Sequence, residues 1–303
     1  MSEYYQLINE PLTELIAKAN KIRAENFQNQ IDVCTISNAK SGACSEDCKF
    51  CAQSSFYKTD VLIYGLKNVT ELVAEARAAK ENGAVRFGIV TSGNNLTEAE
   101  LDLITEAISI IKNQVGIIPC ASLGALTKEQ LLQLKDAGLM RYHHNLETAP
   151  KFFSEIVSTH SYEERINTVK IAKSIGLEVC SGGIMGLGET FEDRIDFALL
   201  LQSLSVDSVP INFLIPIKGT PLESQATISM DEAIKTIAIF RIILKDQVIK
   251  IAAGRETILK DFQGLGFLAG ANGMLIGGYL TTRGRSVADD QQLIKQIQNL
   301  WLN

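Results

Sequence analysis

Three cysteines crowd one loop-like segment, GACSEDCKFC, at the spacing Cys44-x3-Cys48-x2-Cys51. A compact loop with this spacing brings three thiolates together, and no fourth protein ligand lies close by in sequence. Structural zinc sites normally close with four protein ligands, so a bare triad describes a metal centre with one position left open. Three soft thiolates suit zinc, copper(I) or an iron–sulfur cluster and disfavour hard cations. A four-iron cluster held by three cysteines would leave one iron free for an outside ligand. The alternatives are a zinc site completed from elsewhere or three incidental loop cysteines. The remaining cysteines, Cys34, Cys120 and Cys180, lie singly inside apolar, strand-like runs. Free cysteine is commonly a small buried hydrophobe, so these three have a purely structural reading as well.

Two other constellations carry less chemistry. His143 and His144 are neighbours in a strand-like run, where successive side chains point to opposite faces, so they are not expected to share a metal. The run GGIMGLGET is rich in glycine but lacks the Lys-Ser/Thr ending of a phosphate loop. It reads as a turn between strand and helix, with Thr190 and Asp193 forming a capping box for the helix that follows.

The elements that must position these residues follow from hydrophobic periodicity. Short apolar runs, IDVCTIS, AVRFGIV, GIIPCAS, MRYHHN, LEVCSG, DSVPINF, VIKIAAG and MLIGG, alternate with amphipathic stretches. This is the pattern of a parallel sheet with crossover helices. Leu101, Ile104, Ile108 and Ile111 share one helical face, Thr97 and Thr127 stand as N-caps, and Gly83, Gly138 and Gly176 as C-terminal stops. Eight such units without a dividing linker predict a single (β/α)8 barrel. Its expected parts are an N-terminal helical extension over 1–30, a barrel core over 31–285 and a C-terminal helix over 286–303. A doubly wound open sheet is the structural alternative. In a barrel the chemistry belongs at the carboxyl ends of the strands, and the three-cysteine loop directly follows the first strand.

Composition narrows the class of partner. The 303 residues are 46% hydrophobic and 21% charged, with 29 Lys plus Arg against 35 Asp plus Glu and a formal net charge of -6. No basic run could track a phosphate backbone, so nucleic acid is not expected as a partner. No stretch approaches the roughly 18 uninterrupted apolar residues of a membrane span, and the first residues do not read as a secretion signal. Six cysteines are too few for a disulfide scaffold at this length. A cytoplasmic location is expected.

The CxxxCxxC motif after the first strand of a βα barrel resembles the radical S-adenosylmethionine enzymes. Within them, KSGACSEDCKFCAQSS, HHNLET, EVCSGGIMGLGET, SVPINFLIPIKGTPL and KIAAGRE are similar to the biotin synthases. The resemblance implies that Cys44, Cys48 and Cys51 hold a [4Fe–4S] cluster whose open iron chelates S-adenosylmethionine. Reductive cleavage then yields a 5′-deoxyadenosyl radical that abstracts hydrogen from dethiobiotin, and sulfur closes the thiophane ring. Such C–H bonds are too weakly acidic for a side-chain base, so the cofactors carry the hard step. A homodimer and a flavodoxin- or ferredoxin-type electron donor are implied too. Other radical enzymes of the neighbourhood, a lipoyl synthase component or a methylornithine synthase, share this frame, and a non-catalytic metal module would need only the cysteines.

The same resemblance implies an auxiliary iron–sulfur cluster as the sulfur source. Cys120 and Cys180 match two of its ligands and Arg255 in AAGRE matches an arginine ligand, but the third cysteine is missing. Its place falls at Gly88 in Arg86-Phe87-Gly88. Cys34, on the first strand, offers a compensation, because neighbouring parallel strands lie about 4.8 Å apart. This pattern resembles the branch of the family from strict anaerobes, which implies a four-iron cluster with an extra sulfide; a [2Fe–2S] cluster with altered ligands is the alternative. Asn145, Glu147 and Arg165 match positions around S-adenosylmethionine and substrate, Asn212 matches a substrate amide contact, and Arg86 is expected near the auxiliary cluster.

Overall fold

The computed structural model describes residues 3–302; positions 1, 2 and 303, at the outer ends of the expected N-terminal extension and C-terminal helix, lie outside the described residues. Nine parallel strand segments form the sheet. They are β1 (Asp32–Lys40), β2 (Arg86–Thr91), β3 (Ile118–Ser122), β4 (Arg141–His143), β5 (Glu178–Cys180), β6 (Gly183–Met185), β7 (Ser208–Phe213), β8 (Val248–Ile251) and β9 (Gly273–Leu275). Strand β1 pairs with β2 on one side and β9 on the other. Strand β7 pairs with both β5 and β6, so the ring closes. The barrel therefore has eight positions, the fifth being split into β5 and β6, and an open doubly wound sheet is excluded.

All eight expected strands occur, with two local differences. Gly183–Met185, expected as part of a turn, continues the barrel as β6. The break before it needs glycine: a Cβ on Gly182 would stand 2.1 Å from the Pro210 carbonyl oxygen, and one on Gly183 2.1 Å from that of Glu147. The second difference is the run from Gly116. The helix Glu98–Ile110 continues through a wider turn, Ile111–Val115, that stops at Gly116 in the left-handed region, and the strand starts at Ile118.

Each crossover helix starts where the sequence provides a cap. Asn68, Thr97, Thr127, Ser161 and Thr190 each accept from the backbone N–H three residues on, and Glu71, Glu100, Gln130, Glu164 and Asp193 answer as capping boxes. The helices lay their apolar faces on the outside of the barrel, so strand residues are buried on both sides. Helix Leu12–Phe27 packs against helix Met230–Ile243, and helix Val287–Leu302 ends the described chain. Among the described residues no helix is long and apolar enough to cross a membrane.

Candidate active site

The loop after β1, at the carboxyl end of the barrel, carries Cys44, Cys48 and Cys51. Ala43, with φ 49°, reverses the chain just ahead of them. Backbone bonds then fold the loop back on itself, from Cys44 N–H to Gln53 O (2.9 Å), Ser55 N–H to Cys44 O (2.8 Å) and Cys51 N–H to Cys48 O (2.9 Å). A brace comes from the segment before helix Tyr162–Ser174. Asp47 accepts from the backbone of Ser158 and Thr159, and Glu46 Oε2 lies 2.5 Å from His160 Nδ1. Arg165 donates to His160 Nε2 (2.9 Å) and to the Asn145 carbonyl (2.6 Å). A loop tied at so many points can hold three thiols in a fixed arrangement without secondary structure.

The three thiols open into a cavity of about 420 Å³ that runs down the barrel axis. Asn145, Glu147, Arg165 and Asn212 line its middle, while Cys34, Cys180, His143 and Lys250 line its deeper part. Beneath lies a charged layer: Arg86 and Arg141 bridge Asp32 and Glu178, and Lys250 Nζ stands 2.9 Å from Asp32 Oδ1. Three cations face two carboxylates there, an excess of one positive charge suited to an anionic group above it. Burial would raise the Asp32 carboxyl, but Lys250, Arg141 and Arg86 outweigh it and hold the group well below the usual carboxylate range.

Burial dominates the thiols. It pushes Cys48 strongly up, Cys51 up to about 11 and Cys120 up to about 12, and raises Cys34 despite the neighbouring Lys250. The thiols within each set are close enough to oppose each other's ionisation: Cys51 feels Cys44, Cys48 feels both, and Cys34 is coupled to Cys180 and to Cys120. Stable thiolates here therefore call for positive charge between them, which iron supplies. Among the described residues no three His, Cys, Asp or Glu side chains close on a single metal ion. A cluster of several irons spaces its cysteine sulfurs more widely, and the donor set and roomy cavity fit such a group.

Several expected site residues sit elsewhere or are already engaged. Cys120 is buried beside the cavity rather than exposed to it. Arg86 belongs to the charged layer. Asn212 donates to the Gly183 carbonyl (3.1 Å) and accepts from Ala253 N–H (3.1 Å), which leaves one N–H and one lone pair for a ligand. Glu147, with φ 70°, is held by β-bridge bonds to Gly182 and Ile184, and burial raises its carboxyl. The histidine pair also differs from expectation. β4 ends at His143, so alternation stops there and both rings border the cavity.

Arg255 corrects the ligand set. Its guanidinium is fully buried, with both Asp290 carboxylate oxygens at 2.8 Å, Gln263 on Nη1 and Tyr279 Oη at 3.1 Å. Each guanidinium nitrogen thus has a partner within the chain. The cation beside the deep thiols is Lys250, missed because Arg255 carried the family pattern; a lysine inside the apolar run VIKIAAG was the signal, since a buried charge needs a partner. We expect Arg255→Ala to lower stability by about 3–5 kcal/mol, because Asp290 would be left buried and unpaired. Denaturant unfolding would show this; loss of auxiliary iron without loss of stability would contradict the structural role.

Three thiols on a loop at the mouth of a closed parallel barrel define a radical S-adenosylmethionine enzyme. The Radical SAM superfamily model matches residues 39–201, and the Biotin and Thiamin Synthesis associated domain matches residues 210–298. The chain is 57% identical over 272 residues to a biotin synthase from Thermotoga neapolitana, covering 89% of this chain and 97% of that protein. A biotin synthase from Thermotoga petrophila is 51% identical over 296 residues, covering 97% of this chain and 98% of the relative. The chain belongs to the biotin synthase family, and [4Fe–4S] and S-adenosylmethionine are its cofactors. The crystal structure of a methylornithine synthase shares the fold, with a TM-score of 0.84 at 20% identity over 98% of this chain and 91% of that one.

Proposed function

We propose that this chain converts dethiobiotin to biotin by radical sulfur insertion, working as one barrel domain. The observation that carries this reading is a single cavity with a thiol triad at its mouth, Cys34 and Cys180 in its deeper part and amide and carboxylate side chains between. Cys44, Cys48 and Cys51 hold the [4Fe–4S] cluster. When bound, the cluster and S-adenosylmethionine supply a 5′-deoxyadenosyl radical able to take hydrogen from unactivated carbon. Asn145, Glu147 and Arg165 orient the cofactor, and Asn212 uses its spare donor and acceptor on the ureido ring of the substrate. Ile36, Val90 and Leu275 keep water from the cavity.

Cys34, Cys120 and Cys180 hold the auxiliary cluster that donates sulfur, above the charge excess of Arg86, Arg141 and Lys250. The four-iron form with an extra sulfide is the form proposed, the [2Fe–2S] form being the smaller alternative. Electrons come from a flavodoxin- or ferredoxin-type donor to a homodimer in the cytoplasm, where thiols stay reduced; all six cysteines are free thiols in the structure.

The test is anaerobic reconstitution with iron and sulfide followed by assay with dethiobiotin. Biotin should form, and 5′-deoxyadenosine should depend on added dethiobiotin; cleavage that ignores this substrate would point to another carbon skeleton. Asn212→Ala should weaken dethiobiotin binding about tenfold, the scale of one lost hydrogen bond, and leave S-adenosylmethionine binding unchanged. Equal weakening of both in titration calorimetry would count against a ureido contact.

A further inference from the structure

The register of the sheet does not set Cys34 opposite Gly88. Cys34 lies level with Arg86, whereas Gly88 lies level with Ile36 on one side and Cys120 on the other. Cys34 thus reaches the deep thiols from its own level, and the side-chain space at residue 88 is bordered by other groups. A Cβ built on Gly88 would meet Ile36 Cγ2 at 3.1 Å and the His143 ring at Cε1, 3.7 Å away. The imidazole therefore stands over the place that a cysteine at 88 would have used.

His143 has the features of a donor kept for something absent from the protein chain. Its Nε2 is buried and has no hydrogen-bond partner, and the ring borders the same cavity as Cys34, Cys180 and Lys250. In the β4–β5 ladder its Cα is paired with that of Cys180. The charged groups around it are Lys250, Arg141, Arg86 and Asp32. Neutral imidazole is the form that binds metal, and histidine replaces cysteine on iron in some iron–sulfur centres. An unpaired buried ring nitrogen costs free energy unless a ligand satisfies it.

We propose that His143 Nε2 is a ligand to an iron of the auxiliary cluster, alongside Cys34, Cys120 and Cys180. This rests on the reading that those cysteines hold that cluster. The lone pair of Nε2 forms the bond to iron and the ring proton stays on Nδ1, so assembly needs no further acid or base from the imidazole.

The experiment uses the full-length Cys44→Ala/Cys48→Ala/Cys51→Ala chain, in which only the auxiliary site can load. It is reconstituted anaerobically with iron and sulfide, once unlabelled and once with ¹⁵N-histidine, then reduced and measured by pulsed electron paramagnetic resonance. A nitrogen coupling that changes with the label is expected, and it should vanish in His143→Ala and His143→Gln while persisting in His144→Ala. The glutamine variant keeps volume in the cavity, and iron counting on each sample reports whether the site still loads. Iron at full complement without a histidine coupling overturns the assignment, as does a coupling that follows His144. Failure of the triple variant to take up any iron overturns the auxiliary site itself and the assignment with it.

Discussion

Alanine at Cys44, Cys48 or Cys51 is expected to abolish dethiobiotin-dependent formation of 5′-deoxyadenosine, and biotin with it. Each thiol belongs to one braced loop, and the other thiols bordering the cavity, Cys34 and Cys180, lie in its deeper part on strands that cannot move up to the mouth. With two ligands the four-iron cluster has no stable seat, so the effect is a loss rather than a graded decrease. The fold should survive. Cys44 and Cys51 are only half-buried, while Cys48 packs against Phe153, Ile156, Val157 and Leu187 and its truncation should cost about 1 kcal/mol. Chromatographic assay of 5′-deoxyadenosine beside circular dichroism would separate the two effects. Wild-type-like nucleoside production in any of the three variants would remove the triad from the radical step.

The barrel and the mouth of the site were legible because they depend on local pattern. Strand runs, capping residues and the CxxxCxxC spacing are all written within a few residues of one another, and each reappears in place. The floor of the cavity was less legible, because it depends on which inward residues of different strands share a level. Cys34 was expected beside residue 88, yet parallel pairing sets Cys34 level with Arg86 and leaves Ile36 and His143 around the glycine. Sequence spacing does not contain that stagger. Arg255 shows the same limit in another way: its partner Asp290 comes from the C-terminal helix, and no local pattern links the two.

Charge at the floor also escaped the reading of isolated motifs. Asp32, Arg86, Arg141, Glu178 and Lys250 lie on five different strands and become one network only when the ring closes. Only Arg86 was expected there, from the resemblance, and only Lys250, inside an apolar run, stands out by itself. Brought together, they account for the positive excess under the deep thiols. The charge around the deep thiols is thus set by closure of the barrel as much as by any one strand.

Cys34→Ala should separate the two halves of the reaction. Bound iron should fall by the share of the auxiliary cluster and biotin should disappear, while the cluster at the mouth still cleaves S-adenosylmethionine. The geometry favours this separation because Cys34 is remote from the loop at the mouth and its neighbours are Lys250, Cys180 and Cys120. The Asp32–Lys250 pair does not depend on the thiol, so the charged layer stays intact and the stability loss should stay near 1 kcal/mol, the cost of a small buried truncation. Cys120→Ala and Cys180→Ala should behave alike, since all three would hold one centre. Iron counting and Mössbauer spectra of the anaerobically purified variants decide the matter. If Cys34→Ala leaves the auxiliary signal unchanged while Cys120→Ala and Cys180→Ala remove it, Cys34 is a buried core residue, and the place at Gly88 has been filled without it.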